Sequence, residues 1–174
     1  MYHVKTDKRS LKSAEFIYHA LRTILEDKPI NSISISDIAN ESQVSRMTFY
    51  RLFDSITDVL SWKLSVFVSE YEKFRETMSD KLLAFFTFWK GHIDFIYLIS
   101  KNCKYILNEA FSTNKDLNNT YDYYLNDIQV SIMSSLLSLW SLRNGKDTPE
   151  EMAKMTAEFF KRRTELLEIS KNKK

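Results

Sequence analysis

Four side chains within one short stretch, Arg46, Thr48, Tyr50 and Arg51 of "VSRMTFYRLF", are of types that read nucleic acid. Near the start of a short helix, the Arg46 guanidinium can present a bidentate fork to guanine. Thr48 adds a hydroxyl and a methyl suited to thymine or phosphate. Tyr50 and Arg51, further along, suit phosphate contacts that hold register without reading sequence. Upstream, the Ser34 hydroxyl could reach a phosphate beside the positive end of a helix.

Such residues work only if something holds them outward. Ser34 with Asp37, and Ser55 with Asp58, match the S-x-x-D capping pattern, and Ser45 with Thr48 is a weaker form of it. Each cap stabilises a helix start by about 1 kcal/mol. The three caps predict helices near 36–41, near 46–52 and from about 56 to 78, joined by a small core of Ile35, Ile38, Ala39, Val44, Phe49 and Phe53. Two short helices around a tight turn are the outline of a helix-turn-helix, whose second helix enters the major groove. Spacing alone also allows ordinary capped surface helices in a bundle.

The whole chain supports an all-α reading. Its 174 residues contain only two glycines and two prolines, too few turn formers for a sheet protein. A first helix over 8–26 presents Ala14, Ile17, Tyr18, Leu21, Ile24 and Leu25 on one face, with Thr6 or Asp7 as its cap. Further helices are expected over 80–101, with a bend at Gly91, near 104–112, and from about 116 or 122 to Arg143, ended by Gly145. Thr148-Pro149-Glu150 opens the last helix, and "KNKK" reads as a frayed tail.

Net charge is only +2, so bulk charge cannot supply affinity for nucleic acid and locally placed cations must. The single Cys103 excludes an internal disulfide, three scattered histidines make no metal constellation, and no cofactor motif is present. The apolar stretch "KLLAFFTFWKGHIDFIYLI" is interrupted by Lys90, His92 and Asp94, so a membrane span is not expected. With no apolar leader, a cytoplasmic protein is expected.

From Ser34 to Leu60 the chain resembles the DNA-binding region of the tetracycline-repressor (TetR) family of bacterial regulators. Its pattern is close to T-x-x-x-I-A-x-x-A-G-V-S-x-G-T-[LF]-Y-x-[YH]-F-x-[SN]-K-x-x-L. Ser34 takes the Thr place, followed by Ile38-Ala39, Val44-Ser45, Thr48-Phe49-Tyr50, Phe53 and Leu60, without a gap. More faintly, "SSLLSLWSLRNGKDTPEEMAKMTAEFF" is similar to the end of the family's penultimate helix and the start of its last. Three departures stand out. Gln43 replaces the turn glycine, Met47 a small residue, and Ile56 a lysine that would bind phosphate.

The resemblance implies a head over 1–54 that binds double-stranded DNA through Ser34, Ser45, Arg46, Met47, Thr48, Tyr50 and Arg51. A regulatory and dimerisation part would follow over 55–174, with the 56–78 helix linking the two. It implies a homodimer built from the last two helices, for which Ile132, Leu136, Leu137, Trp140, Met152, Met155 and Phe159 are candidates. The helix ending at Arg143 carries one apolar stripe of Leu125, Ile128, Ile132, Leu136 and Leu139 and another of Val130, Met133, Leu137 and Trp140. A helix apolar on two sides must be covered on two sides. The last helix has its own apolar face, which includes Phe160 and Leu166. The resemblance also implies an effector pocket between the middle helices. Phe85, Phe88, Trp89, His92, Tyr97, Tyr105, Phe111, Tyr121 and Tyr124 could line it, or form plain core.

The first functional expectation is a dimeric repressor of a palindromic operator, released when a small molecule binds the body. The alternative keeps the fold and makes the chain a co-regulator or activator controlled by a protein partner, for which the near-neutral head and Ile56 argue. A third, a helical enzyme, has no nucleophile–base pair, paired carboxylates or phosphate loop to support it, so a non-enzyme is expected.

Overall fold

The computed structural model describes the backbone of residues 1–112 and 120–171 and the side chains of 1–112 and 124–162. It is all-α. In chain order the helices are α1 (Lys8–Asp27), a 3-10 turn (Ile30–Ser32), α2 (Ile35–Ser42), α3 (Arg46–Leu52), α4 (Ile56–Arg75), α5 (Lys81–Lys90), α6 (Ile93–Asn102), α7 (Tyr105–Phe111), α8 (Thr120–Leu142) and α9 (Pro149–Lys171). The side chains of Tyr121 and Leu166, and the "KNKK" tail, lie outside the described residues.

Local chemistry sets most of the boundaries. Asp7 caps α1, its carboxylate accepting from the N–H groups of Arg9 and Ser10. Pro29 follows the end of that helix, where it restrains the preceding residue to extended backbone; Lys28 has ψ 139°. α8 ends three residues before Gly145, which has φ +58° and whose N–H donates to the Trp140 carbonyl. Glycine suits this left-handed backbone, and an added Cβ would lie 2.7 Å from the Lys90 Nζ and 3.2 Å from Ile93, so a side chain there would be strained. Thr148 and Glu151 form a reciprocal cap on α9, the Thr148 N–H donating to the carboxylate at 2.8 Å.

The segment 80–101 is two helices rather than one, with α5 and α6 bent by 81°. Gly91 itself has ordinary helical φ, −65°. Next to it, His92 leaves the helical region and its Nδ1 lies 3.0 Å from the Phe88 carbonyl. In the Nδ1–H tautomer the ring donates to that oxygen, and the Gly91 N–H bonds the same carbonyl in a tighter turn. The bend removes a continuous apolar rod, and no single helix among the described residues is long and apolar enough to cross a membrane.

α1 packs on α2, α3 and α4, and α2 on α3. The remaining helices join through α4, which packs on α5 and α7, while α5 packs on α9 and α6 on α8. One apolar cluster runs from Ala14 through Phe49, Leu60, Trp89 and Trp140 to Met152. α4 carries that continuity, with Leu60 and Leu64 buried and Phe67, Tyr71 and Phe74 half-buried along its length. It stops at Arg75, short of Met78, where Lys81 Nζ ties down the Arg75 and Met78 carbonyls.

Candidate nucleic-acid interface

α3 has two faces. Phe49 and Leu52 are buried, and the Phe49 ring packs on Phe53, which in turn meets Trp62 of α4. On the other side Met47 is 84% exposed and Tyr50 50%, with Arg46 and Arg51 also exposed. Met47 thus projects outward from α3 into solvent.

Ser45 caps α3, its hydroxyl accepting from the Thr48 N–H at 3.1 Å and lying 3.0 Å from the Thr48 hydroxyl. The two hydroxyls orient each other at the start of the exposed face. On α2 the Ser34 hydroxyl donates to Asp37 at 2.8 Å and accepts from the Asp37 N–H. Its proton is thus committed to a carboxylate, which must be displaced before Ser34 can donate to a phosphate.

The turn between α2 and α3 carries a strain. Gln43 sits at φ +55°, ψ 23°, in the left-handed region where the family resemblance expects glycine. A side chain there costs about 1–2 kcal/mol, while glycine's extra freedom in the unfolded chain offsets about 0.5–1 kcal/mol. Gln43→Gly is therefore expected to stabilise the protein by about 0.5–1 kcal/mol, read as a raised urea midpoint at unchanged slope.

The capping carboxylates titrate low. The Ser34 backbone N–H and then its hydroxyl hold Asp37 below the ordinary carboxyl value of 3.8. At Asp58, burial pushes upward but is outweighed by the Met1 amino group and the Ser55 hydroxyl, and the result is again a lowered value. The folded carboxyls bind protons more weakly than the unfolded ones. Their contribution is complete above the ordinary value and is lost as pH falls through the lower folded value. The melting temperature should therefore fall below about pH 4, and fall less in Asp37→Asn, which lacks the titrating group.

α1 is fastened to α4 by an ion pair inside an aromatic cage. Lys63 Nζ bonds both Glu15 oxygens at 2.8 and 3.0 Å and lies 5.0–5.8 Å from the Tyr18, Trp62 and Phe67 ring centroids. Neither Lys63 nor Glu15 was flagged by sequence pattern, because 48 residues separate them.

The candidate pocket residues are not gathered in one place. A cavity of about 710 Å³ opens between α4, α5, α7, α8 and α9. Of the eight candidates among the described residues, Phe85 and Phe111 line it, alongside Tyr71, Arg75, Lys81 and Gln129. Phe88, Trp89 and His92 instead stack among themselves beneath Tyr71 and Phe67. Tyr97, Tyr105 and Tyr124 are exposed. Cys103 is buried, which pushes its thiol up to about 12 and leaves no ready thiolate for redox sensing.

The interface candidates on α8 and α9 separate just as sharply. Leu137, Trp140 and Met152 are buried within this chain, at 0%, 1% and 6% exposure. Trp140 is held inside by its indole N–H, which donates to the Asp147 carbonyl at 3.0 Å. Ile132 and Leu136 are half-buried, whereas Leu139, Met155 and Phe159 are exposed. Of the two α8 stripes, then, the one through Leu137 faces the core and the one through Leu139 faces out.

No family model matches the chain. Over 73 residues it is 27% identical to the HTH-type dhaKLM operon transcriptional activator DhaS of Lactococcus lactis subsp. lactis. That match spans 42% of this chain and 37% of the relative's length. In fold the chain is similar to the Listeria innocua protein Lin0861, with a TM-score of 0.78 at 17% identity over 91% of this chain and 94% of that one. It is also similar to the dihydroxyacetone kinase operon activator DhaS, with a TM-score of 0.51 at 15% identity over 90% and 98% of the two chains. At such identities the structural likenesses show the fold.

Proposed function

We propose that this chain is a TetR-like transcription regulator that binds duplex DNA through α3 and works as an activator or co-regulator controlled by a protein partner. The observation that carries it is the two-sided α3: a buried Phe49 and Leu52 behind an exposed Arg46, Met47, Tyr50 and Arg51. The relative matched in sequence, DhaS, is named as an operon activator, which favours activation over repression. Residues 1–54 would form the DNA-binding head and 55–174 the regulatory part, with α4 joining them. Two copies would pair through the outward faces of α8 and α9, setting two recognition helices about 34–36 Å apart to meet successive major grooves.

A second reading, a repressor released by a small molecule, draws on the 710 Å³ cavity with Phe85 and Phe111 in its wall. Selection of bound sequences from random duplexes, with and without a candidate partner, separates these readings. An enriched two-fold symmetric motif is expected, and no enrichment in either arm would defeat both. On the selected site, Arg46→Ala should lose about 1–3 kcal/mol of base discrimination. Arg51→Ala should weaken all sequences alike and reduce the salt slope by about 1.

A further inference from the structure

The first residues of the chain are strapped to the joint between α3 and α4. The His3 N–H donates to the Leu52 carbonyl at 2.8 Å, the Asp54 N–H donates to the Met1 carbonyl at 3.1 Å, and Tyr2 and Phe53 form an antiparallel bridge. His3 Nε2 adds a contact to the Asp54 carboxylate at 3.0 Å. This joint, with Ser55 capping α4, is where Ile56 leaves no cation for a phosphate.

The strap delivers cations there. Residues 1–12 carry Lys5, Lys8, Arg9 and Lys12 against one carboxylate, Asp7, while the entire chain is only +2. More than the whole net positive charge thus lies in this segment. Asp7 is occupied in capping α1. All four cations are exposed, and none has an acidic partner within 4 Å among the described residues. Lys12 lies over the exposed Phe16 ring instead. Lys5 can be no more than about 7 Å along the backbone from His3, and so stays beside the pinned joint.

We infer that this strapped arm and the first turn of α1, through Lys5, Lys8 and Arg9, form a second contact with the DNA phosphate backbone, flanking the recognition helix. It rests on the DNA-binding reading above. The arm replaces, from a different part of the chain, the backbone anchor that Ile56 does not provide. Cations without partners release counterions on meeting phosphates, whereas cations already paired to carboxylates would not.

The test measures binding of the full chain to a short random-sequence duplex between about 50 and 200 mM salt. In Lys5→Ala/Lys8→Ala/Arg9→Ala the slope of log affinity against log salt should become shallower by about 3, near 0.9 per lost contact. The charge-keeping variant Lys5→Arg/Lys8→Arg/Arg9→Lys should retain the slope. His3→Pro, which removes the strap's N–H but no lysine or arginine, should weaken binding. Circular dichroism establishes that each variant is folded. An unchanged slope in the triple alanine variant, with Arg51→Ala still reducing it, overturns the arm and spares the recognition helix. A wild-type chain that binds no duplex overturns both.

Discussion

Phe49→Ala is expected to destabilise the protein by about 3–5 kcal/mol, the range for emptying a well-packed aromatic site. Phe49 is 1% exposed and is the central ring of the small core that props α3 outward, with Phe53 and Tyr50 within 6 Å. Against a total stability of about 5–15 kcal/mol, that loss removes a large share of the margin against unfolding, and DNA binding should weaken with it. Tyr50→Ala, one residue away, should cost far less, about 0.5–1.5 kcal/mol, because Tyr50 is half-exposed and packs only its edge-on ring against Phe49. It should nevertheless weaken DNA binding. Urea denaturation and duplex binding on the two variants form the test. If Tyr50→Ala destabilises the protein as much as Phe49→Ala does, α3 is a packed element and not a presenting one.

Leu139→Glu combined with Phe159→Glu should give a monomer. Both residues are more than half or half exposed, at 57% and 50%, and Leu136, Leu139 and Leu142 of α8 share one groove with Met155 of α9. Exposed Ile128 continues the same α8 stripe. A helix pair with this much uncovered apolar surface is suited to meet its own copy and make a four-helix bundle. Sizing by light scattering should show the mass halve while the helical signal is kept. Operator affinity should fall by about 10²–10⁴-fold, the gain that linking two half-site contacts provides. Leu137→Glu must behave differently. Leu137 is 0% exposed, so a carboxylate there would be desolvated inside the chain and the variant should unfold rather than dissociate. Unchanged mass in the Leu139 and Phe159 variant would remove the proposed bundle.

Local patterns in the chain were enough to place α2, α3 and the start of α4. Three serine caps and the spacing of Phe49 and Phe53 act within a few residues, and each is present in the fold; the left-handed turn at Gln43 followed from the family resemblance instead. The same holds for Gly145 and for the Thr148 cap, since helix ends are decided by which nearby groups satisfy the backbone. The two apolar stripes of α8 could likewise be read in advance, because helical periodicity separates faces by angle alone.

Periodicity cannot say which of two apolar faces a protein covers with its own chain. Only packing decided that the Leu137 side of α8 is buried within the chain, leaving Leu139 to water. The scattered aromatics were illegible for a related reason. Whether a ring lines a cavity or stacks in the core depends on how separate helices pack, and Trp89 and His92 meet each other on either side of Gly91, where α5 and α6 bend by 81°. Likewise the strap of Met1–His3 on the α3–α4 joint and the Lys63–Glu15 pair join residues about 50 positions apart, beyond the reach of any local pattern. Backbone satisfaction and side-chain periodicity are short-range and survive in sequence; burial and contact between distant segments exist only once the chain has closed on itself.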